Sequence, residues 1–376
     1  MKMNKKRIVI KIGSSSITSM YGEISKKKLE RLVDEIVRLK DEGHEVLLVS
    51  SGAVAAGYRK LGCINRPNTL PEKQAAASIG QGLLMETYSE RFLSHGYVSS
   101  QILITRSDFS DENRYNNARN TINVLLERGI VPIVNENDTV TIDRLKFGDN
   151  DSLSAKVAGL VEADQLIILS DIDGLYDADP RENKNASLVK HVDEITNDIE
   201  ASAGDSGSHV GTGGMRSKID AFKIAMALGI PAFLGKANQK NIIYDAINNK
   251  AKGTYFESKE KSANLDLKKQ WIAFNSGPEG EIIIDDDAKN SIFKEKGSLY
   301  LTGIYDVKGQ FKSGSVVRLI DMEGKEIGLG AVKYSSDQLS QLCLFEKEVV
   351  DVTTGKEAVH CNDLVCHLET SIPVGI

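Results

Sequence analysis

RIVIKIGSSS, running from Arg7 to Ser16, is an apolar β-type run that stops abruptly in one glycine and three serines. It reads as a strand whose carboxyl end opens into small polar residues. Lys11 sits inside it, and a charged side chain in an otherwise apolar strand is costly. Two readings follow. Either the ammonium emerges at the strand end against an anion, with Gly13 and Ser14 to Ser16 offering N–H groups and hydroxyls as a nest, or the strand lies at an edge and Lys11 faces water.

Downstream, Ser25 to Gly43 carries Leu29, Leu32, Val33, Ile36 and Leu39 at helical spacing, with Gly43 as the stop. EVLLVSSG (45–52), SSQILIT (99–105), GIVPIVNEND (129–138) and QLIILSD (165–171) repeat the first pattern, each an apolar run with a small or polar tail. Such runs alternate with helix-period segments as far as Phe256, which predicts a three-layer α/β fold: an open, mostly parallel sheet between helices. Ligands then bind beyond the carboxyl ends of the strands, so the site is expected in these tails.

The pattern changes after Glu257. SKEKSANLDLKKQ is polar and charged, without apolar periodicity, and suits a linker. Beyond it, GQFKSGSVVRLIDMEGKEIGLGAVKYSS joins β-branched runs through Glu323-Gly324. The expected organisation is an α/β domain over 1–257, a linker over 258–273 and a small all-β domain over 274–376.

With 376 residues, 41% of them hydrophobic, the chain can bury two cores. Its net charge of −6 gives no general attraction to nucleic acid or to an anionic membrane, so small molecules are the expected partners. The basic start resembles a signal peptide, but Lys11 breaks its apolar run, and no stretch approaches the roughly 20 apolar residues of a membrane span. A soluble, cytoplasmic protein is expected. Cys63, Cys343, Cys361 and Cys366 form no C-x-x-C pair, and the six histidines form no H-x-x-x-H, so the cysteines read as free thiols and catalytic zinc is not expected.

Four further tails carry chemistry. VSSGAVAAG places Ser50, Ser51 and Gly52 before an Ala-rich helix, either an anion-binding turn or an ordinary strand-to-helix connection. VNENDTV crowds Asn135, Glu136, Asn137 and Asp138 onto a strand end, and KFGDNDSLSAKVAG brings Asp149, Asn150 and Asp151 to a helix start. Each is a common cap alone; together they suit an amino-acid substrate, or a hard cation. LIILSDIDGLYDADPR ends a strand in Ser170 and Asp171, and its tail through Gly174, Tyr176 and Asp177 to Pro180 could line an adenine and ribose pocket. HVGTGGMRSKID has phosphate-loop glycines but not the P-loop spacing, and puts Lys218 in the first turn of a helix with Ile219, Phe222 and Met226 on one face.

In this order KIGSSS, VSSGAVAAG, NENDTV, FGDNDSLSA, SDIDGLY, ADPR, AGDS and GTGGMRSK resemble the amino acid kinase family, and within it the branch acting on glutamate. The C-terminal region resembles a PUA domain, so the likeness spans essentially the whole chain. It implies ATP-dependent phosphorylation of the γ-carboxylate of L-glutamate, the first step of proline biosynthesis, with feedback by L-proline and a homo-oligomeric state. It further implies that Lys11 and Lys218 clamp the transferred group while Asp151 holds both ammonium groups. Ser51, Gly52, Asp138 and Asn150 would bind glutamate. Lys11, Ser170, Asp171, Thr212, Gly213, Gly214, Met215, Arg216, Ser217 and Lys218 would carry the nucleotide, with Mg²⁺ arriving on its phosphates and no metal site of the protein's own.

Two other classes compete. PUA domains elsewhere bind RNA, but residues 274–376 hold 10 Lys and Arg against 17 Asp and Glu, a poor surface for a phosphate backbone. A dinucleotide-dependent oxidoreductase would need G-x-G-x-x-G after the first strand, and that fingerprint is missing. Within the kinases, acetylglutamate, aspartate and small phosphates are the rival substrates.

Overall fold

The computed structural model describes residues 5–19, 22–141, 150–178, 180, 183, 185–202, 214–257, 266–346 and 356–366. The chain divides into two compact units, one of residues 1–109 and 113–260, the other of 110–112 and 261–376.

The first unit runs β1 (Arg7–Ile12), α1 (Ser14–Ile17), α2 (Lys26–Asp41), β2 (Glu45–Val49), α3 (Ala53–Gly57), α4 (Leu70–Ser94), β3 (Ser99–Ile104), α5 (Arg106–Ser110), α6 (Glu112–Glu127) and β4 (Val131–Glu136). It continues with α7 (Asn150–Leu160), β5 (Gln165–Ser170), β6 (His191–Val192), α8 (Asn197–Ser202), α9 (Met215–Ala227), β7 (Ala232–Lys236), α10 (Ile242–Ile247) and β8 (Gly253–Phe256). The strands form one eight-stranded sheet in the order β3-β4-β2-β1-β5-β7-β8-β6, parallel except where β8 meets β7.

The strand of Arg7 to Ile12 is therefore central, paired with β2 on one side and β5 on the other. The edge-strand reading of Lys11 is overturned. Side chains alternate across a strand, so Ile8, Ile10 and Ile12 join one core with residues of α2, α4 and α10. Lys11 leaves on the opposite face, where Asp151 of α7 and Lys218 of α9 meet it. Both layers form because α2 buries Leu29, Leu32, Val33 and Ile36, and α9 buries Ile219, Phe222 and Ala225. Burial of such side chains stabilises by roughly 1.5–3 kcal/mol each.

Two glycines bring α3 and α4 into backbone contact. A Cβ at Gly57 would lie 1.9 Å from the carbonyl oxygen of Ala76, and one at Gly80 would lie 1.8 Å from that of Ala53. Neither position can hold a side chain without separating the helices.

The second unit contains α11 (Leu267–Phe274), β9 (Gly280–Ile284), α12 (Asp286–Glu295), β10 (Leu299–Tyr300), β11 (Ile304–Gly309), β12 (Val316–Ile320), β13 (Glu326–Ala331), α13 (Ser336–Glu346), β14 (Glu357–Val359) and β15 (Leu364–Cys366). Its main sheet runs β11-β9-β12-β13-β15, and β12 and β13 form the hairpin expected around Gly324, whose φ is +82°. Ile282, Ile284, Val317, Leu319 and Leu339 lie in its core.

Among the described residues three α-helices accompany these strands, which a reading of the region as strands and turns does not include. The first lies partly in the stretch expected as a linker: Asp266 accepts the backbone N–H of Lys269 at 2.8 Å and starts α11, which buries Trp271, Ile272 and Phe274. Among the described residues no helix is long and apolar enough to cross a membrane.

Candidate active site

At the carboxyl end of β1, Lys11 Nζ lies 2.5 Å from Asp151 Oδ1, and Lys218 Nζ lies 3.0 Å from Asp151 Oδ2. All three residues are buried. They come from a strand and the first turns of two helices, so the fold itself gathers them. Burial pushes the Asp151 carboxyl up, but the Lys11 and Lys218 charges outweigh it, and the net shift is below the usual carboxylate range. Two ammonium groups thus converge on one carboxylate in a place of low dielectric, where fixed charges act strongly. Ser217 Oγ stands 3.4 Å from Asp151 Oδ2 and donates to the Gly214 carbonyl at 2.9 Å, tying the helix start to the same carboxylate.

The β1 and β2 tails meet beside this cluster. The Gly13 N–H donates to the Leu169 carbonyl at 3.1 Å, and Gly52 adopts φ +98°, with its Cβ direction 3.4 Å from Ser14 Cβ. A left-handed conformation of this kind favours glycine, and it lets the chain turn from β2 into α3 with Ser51 at the bend.

A second set of polar groups radiates from Asn150. Its amide nitrogen, with two N–H donors, lies within hydrogen-bonding reach of the Ser50 carbonyl, of Ser51 Oγ at 3.0 Å and of Asn135 Oδ1 at 2.8 Å. Asn135 in turn donates to Gln81 Oε1 at 2.9 Å, while its Oδ1 accepts the Glu136 N–H at 2.9 Å. Ser50 Oγ is 3.1 Å from the Tyr88 hydroxyl, whose pKa burial raises above its ordinary value. This relay fixes the ends of β2 and β4 against the start of α7. Asp138 lies two residues beyond β4 and is half-buried.

The end of β5 faces a cavity of about 250 Å³ with an apolar floor that includes Ile12, Leu32 and Ile243. Ser170 and Asp171 line it together with Ser15, Ser16, Lys28 and Lys236, and Ser170 Oγ donates to Asp171 Oδ1 at 3.1 Å. Gly174, Tyr176 and Asp177, read as the lining of a nucleoside pocket, are not among its walls. Tyr176 instead bridges Leu188, and Asp177 accepts the Ser187 N–H at 2.8 Å.

The structure thus brings Lys11, Asp151, Ser217 and Lys218 together, and Ser51 and Asn150 together. Met215 opens α9 behind its N-cap, Gly214. Arg216 is mostly exposed, 3.8 Å from both Glu200 and Asp220. Thr212 and Gly213 lie outside the described residues. Gln81 and Lys28 carry no signal in the sequence that separates them from ordinary helix residues; Asn135 does, as a polar group on an apolar strand.

A parallel sheet that gathers two lysines on one carboxylate at its strand ends defines an α/β enzyme built to handle anions. The profile of the amino acid kinase family matches residues 6–236, and that of the PUA domain matches residues 280–355. The chain belongs to the amino acid kinase family. It is 64% identical over 376 residues to glutamate 5-kinase 2 of Bacillus licheniformis, covering all of both chains. It is 65% identical over 369 residues to glutamate 5-kinase 2 of Bacillus subtilis, covering 98% of each. Among solved structures, carbamate kinase from Giardia lamblia bound to AMP-PNP aligns with a TM-score of 0.50 at 16% identity, over 69% of this chain and all of that one.

Proposed function

We propose that this protein transfers the γ-phosphoryl group of ATP to the γ-carboxylate of L-glutamate, giving γ-glutamyl phosphate and ADP, the first step of proline biosynthesis. The observation that carries it is the pair of buried lysines on Asp151, and the glutamate 5-kinases to which the chain is similar supply the substrate.

A side-chain carboxyl of pKa about 4.3 is ionised at neutral pH, so the nucleophile needs no base. One of its oxygens bonds to the γ-phosphorus, the bond from that phosphorus to the bridging oxygen breaks, and ADP leaves with the electron pair. No proton moves. The difficulty is charge, which spreads over the transferred group. Lys11 and Lys218 answer it as fixed point charges, held by Asp151 and needing no reorganisation at the moment of reaction.

Ser51, Gly52 and Asn150 would hold glutamate, with Asp138 matching its α-ammonium. Ser170, Asp171 and the segment from Thr212 to Lys218 would hold the nucleotide, and Mg²⁺ would enter on its phosphates. We assign this chemistry to a domain over 1–257 and leave 274–376 as a PUA-like unit without a catalytic part. Feedback by L-proline, a homo-oligomeric state and a cytoplasmic location complete the proposal.

The test is formation of γ-glutamyl hydroxamate from ATP, Mg²⁺, L-glutamate and hydroxylamine, with L-aspartate and N-acetylglutamate alongside and L-proline in a parallel series. Product from glutamate alone, suppressed by proline, is expected. Product from either rival at comparable rate would overturn the substrate assignment.

A further inference from the structure

Gln81 has no part in the reading above, although it ends the chain of contacts that starts at Asn150. Asn150 turns its amide nitrogen to a wall made by the Ser50 carbonyl, Ser51 Oγ and Asn135 Oδ1, which leaves its oxygen as the arm it can offer a substrate. Asn135 is 2% exposed and is held at both ends of its own amide: Oδ1 accepts the Glu136 N–H at 2.9 Å, and Nδ2 donates to Gln81 Oε1 at 2.9 Å. The first tie lies within β4 and fixes which way the amide faces. The second comes from α4, 54 residues earlier in the chain, and fixes where the amide sits.

Helix α4 is a firm support for that tie. The residue before Gln81 is Gly80, where a Cβ would lie 1.8 Å from the Ala53 carbonyl oxygen, so α4 packs backbone to backbone on α3. That partner is the helix which the Ser51–Gly52 bend opens. Seven residues beyond Gln81, two turns along the same face, the fully buried Tyr88 places its hydroxyl 3.1 Å from Ser50 Oγ. One helix therefore reaches both strand tails that Asn150 joins, β4 through Gln81 and β2 through Tyr88.

We propose that Gln81 is a positioning residue for glutamate binding, acting through Asn135 on the Asn150 amide. This rests on the reading of Ser51 and Asn150 as part of the glutamate site. Without the Gln81 oxygen a buried Asn135 N–H loses its acceptor, the Asn135 amide keeps only its backbone tie, and the oxygen it presents to Asn150 is no longer fixed. Glutamate must then order the site as it binds, which weakens binding. Lys11, Lys218 and Asp151 are held by their own ion pairs, so the effect falls on glutamate and not on the nucleotide or the group in transfer.

The experiment compares the full chain with three variants. Gln81→Leu removes the acceptor at similar volume, Gln81→Ala removes it without bulk, and Gln81→Glu keeps an acceptor oxygen at the same reach. The KM for L-glutamate and for ATP, kcat and thermal midpoint are measured for each. The leucine and alanine variants are expected to raise the KM for glutamate by about three- to tenfold, with the KM for ATP and kcat within about twofold of wild type. Gln81→Glu is expected to recover most of the glutamate affinity. An unchanged KM for glutamate in the leucine and alanine variants, an equal rise in both KM values, or a glutamate KM in Gln81→Glu as high as in Gln81→Leu would overturn the proposal. A lowered thermal midpoint with both KM values unchanged would reduce Gln81 to a structural residue and overturn it too. If wild type forms hydroxamate from L-aspartate or N-acetylglutamate and not from L-glutamate, the glutamate reading falls and the proposal with it. If wild type uses L-glutamate and the variants keep its KM, the proposal alone falls.

Discussion

Each unit of the molecule buries an aspartate against lysine, and the two arrangements differ in how they balance. In the second unit Asp321 takes one ammonium, that of Lys289 at 2.7 Å, and accepts the backbone N–H groups of Glu323 and Lys325 at 3.1 and 2.8 Å. One ammonium meets one carboxylate oxygen, the other oxygen accepts from the turn it closes, and the carboxyl is held below its usual range chiefly by the Lys289 hydrogen bond. In the first unit Asp151 takes two ammonium groups in full burial. The first arrangement is complete as it stands and pins a hairpin. The second brings two ammonium groups onto one carboxylate, in burial where the loss of either kind of partner is felt most. A buried carboxylate that gathers two lysines at the strand ends is the functional candidate; one that closes a turn beside a single lysine is the structural one.

The sharpest way to break that contrast is Lys218→Ala. If the ammonium stabilises the transferring phosphoryl group, turnover falls by about 10²- to 10³-fold or more, while circular dichroism and thermal midpoint stay near wild type. A variant that keeps near-normal kcat would return Lys218 to the structural class. Asp151→Asn comes next. It leaves two ammonium groups buried without their anion, and removing one partner of such a cluster costs about 3–5 kcal/mol. A urea titration should show this as a lower midpoint, together with a fall in turnover of about 100-fold. Loss of activity at full stability would mean that Asp151 acts on substrate and does not hold the lysines.

Asp138→Asn tests the glutamate side. The KM for glutamate should rise about tenfold or more, with that for ATP nearly unchanged. Equal effects on both would remove Asp138 from the α-ammonium.

Much of this geometry was legible in the sequence because strands advertise their anomalies. Lys11 interrupts Ile8 to Ile12, and Asn135 ends Val131 to Val134, so both read as polar groups forced to a strand end. Asp151 and Lys218 were legible as charges in a first helical turn. Position within the sheet was not: whether β1 lies at the centre or at an edge depends on which strands pair with it, and that is a long-range property. Helix residues were harder still. Lys28 and Glu35 occupy the polar side of an amphipathic helix and look alike as solvated charges, yet both line the cavity beside α10, and Glu35 accepts the Ile243 N–H at 2.9 Å. The helix at Leu267 was hidden because its apolar face is a single short cluster, Trp271 to Phe274, behind a charged start.

The smallest effect belongs to the one-lysine pair, and pH probes it directly. Asp321→Asn should lower the thermal midpoint of the chain by a few degrees and leave kcat and both KM values unchanged. The sign of its pH dependence follows from the depressed carboxyl. The stabilisation is fully present above the unfolded-state value near 3.9 and is lost as pH falls through the lower folded-state value. Asn resembles the protonated acid, so the deficit of the variant should be greatest at neutral pH and should close as wild type is titrated below about pH 4. Midpoints compared across that range decide the matter. A deficit that stays constant in acid would show that Asp321 works through shape or through its neutral hydrogen bonds, and a change in kcat would show that closing a turn beside one lysine does not by itself identify a structural aspartate.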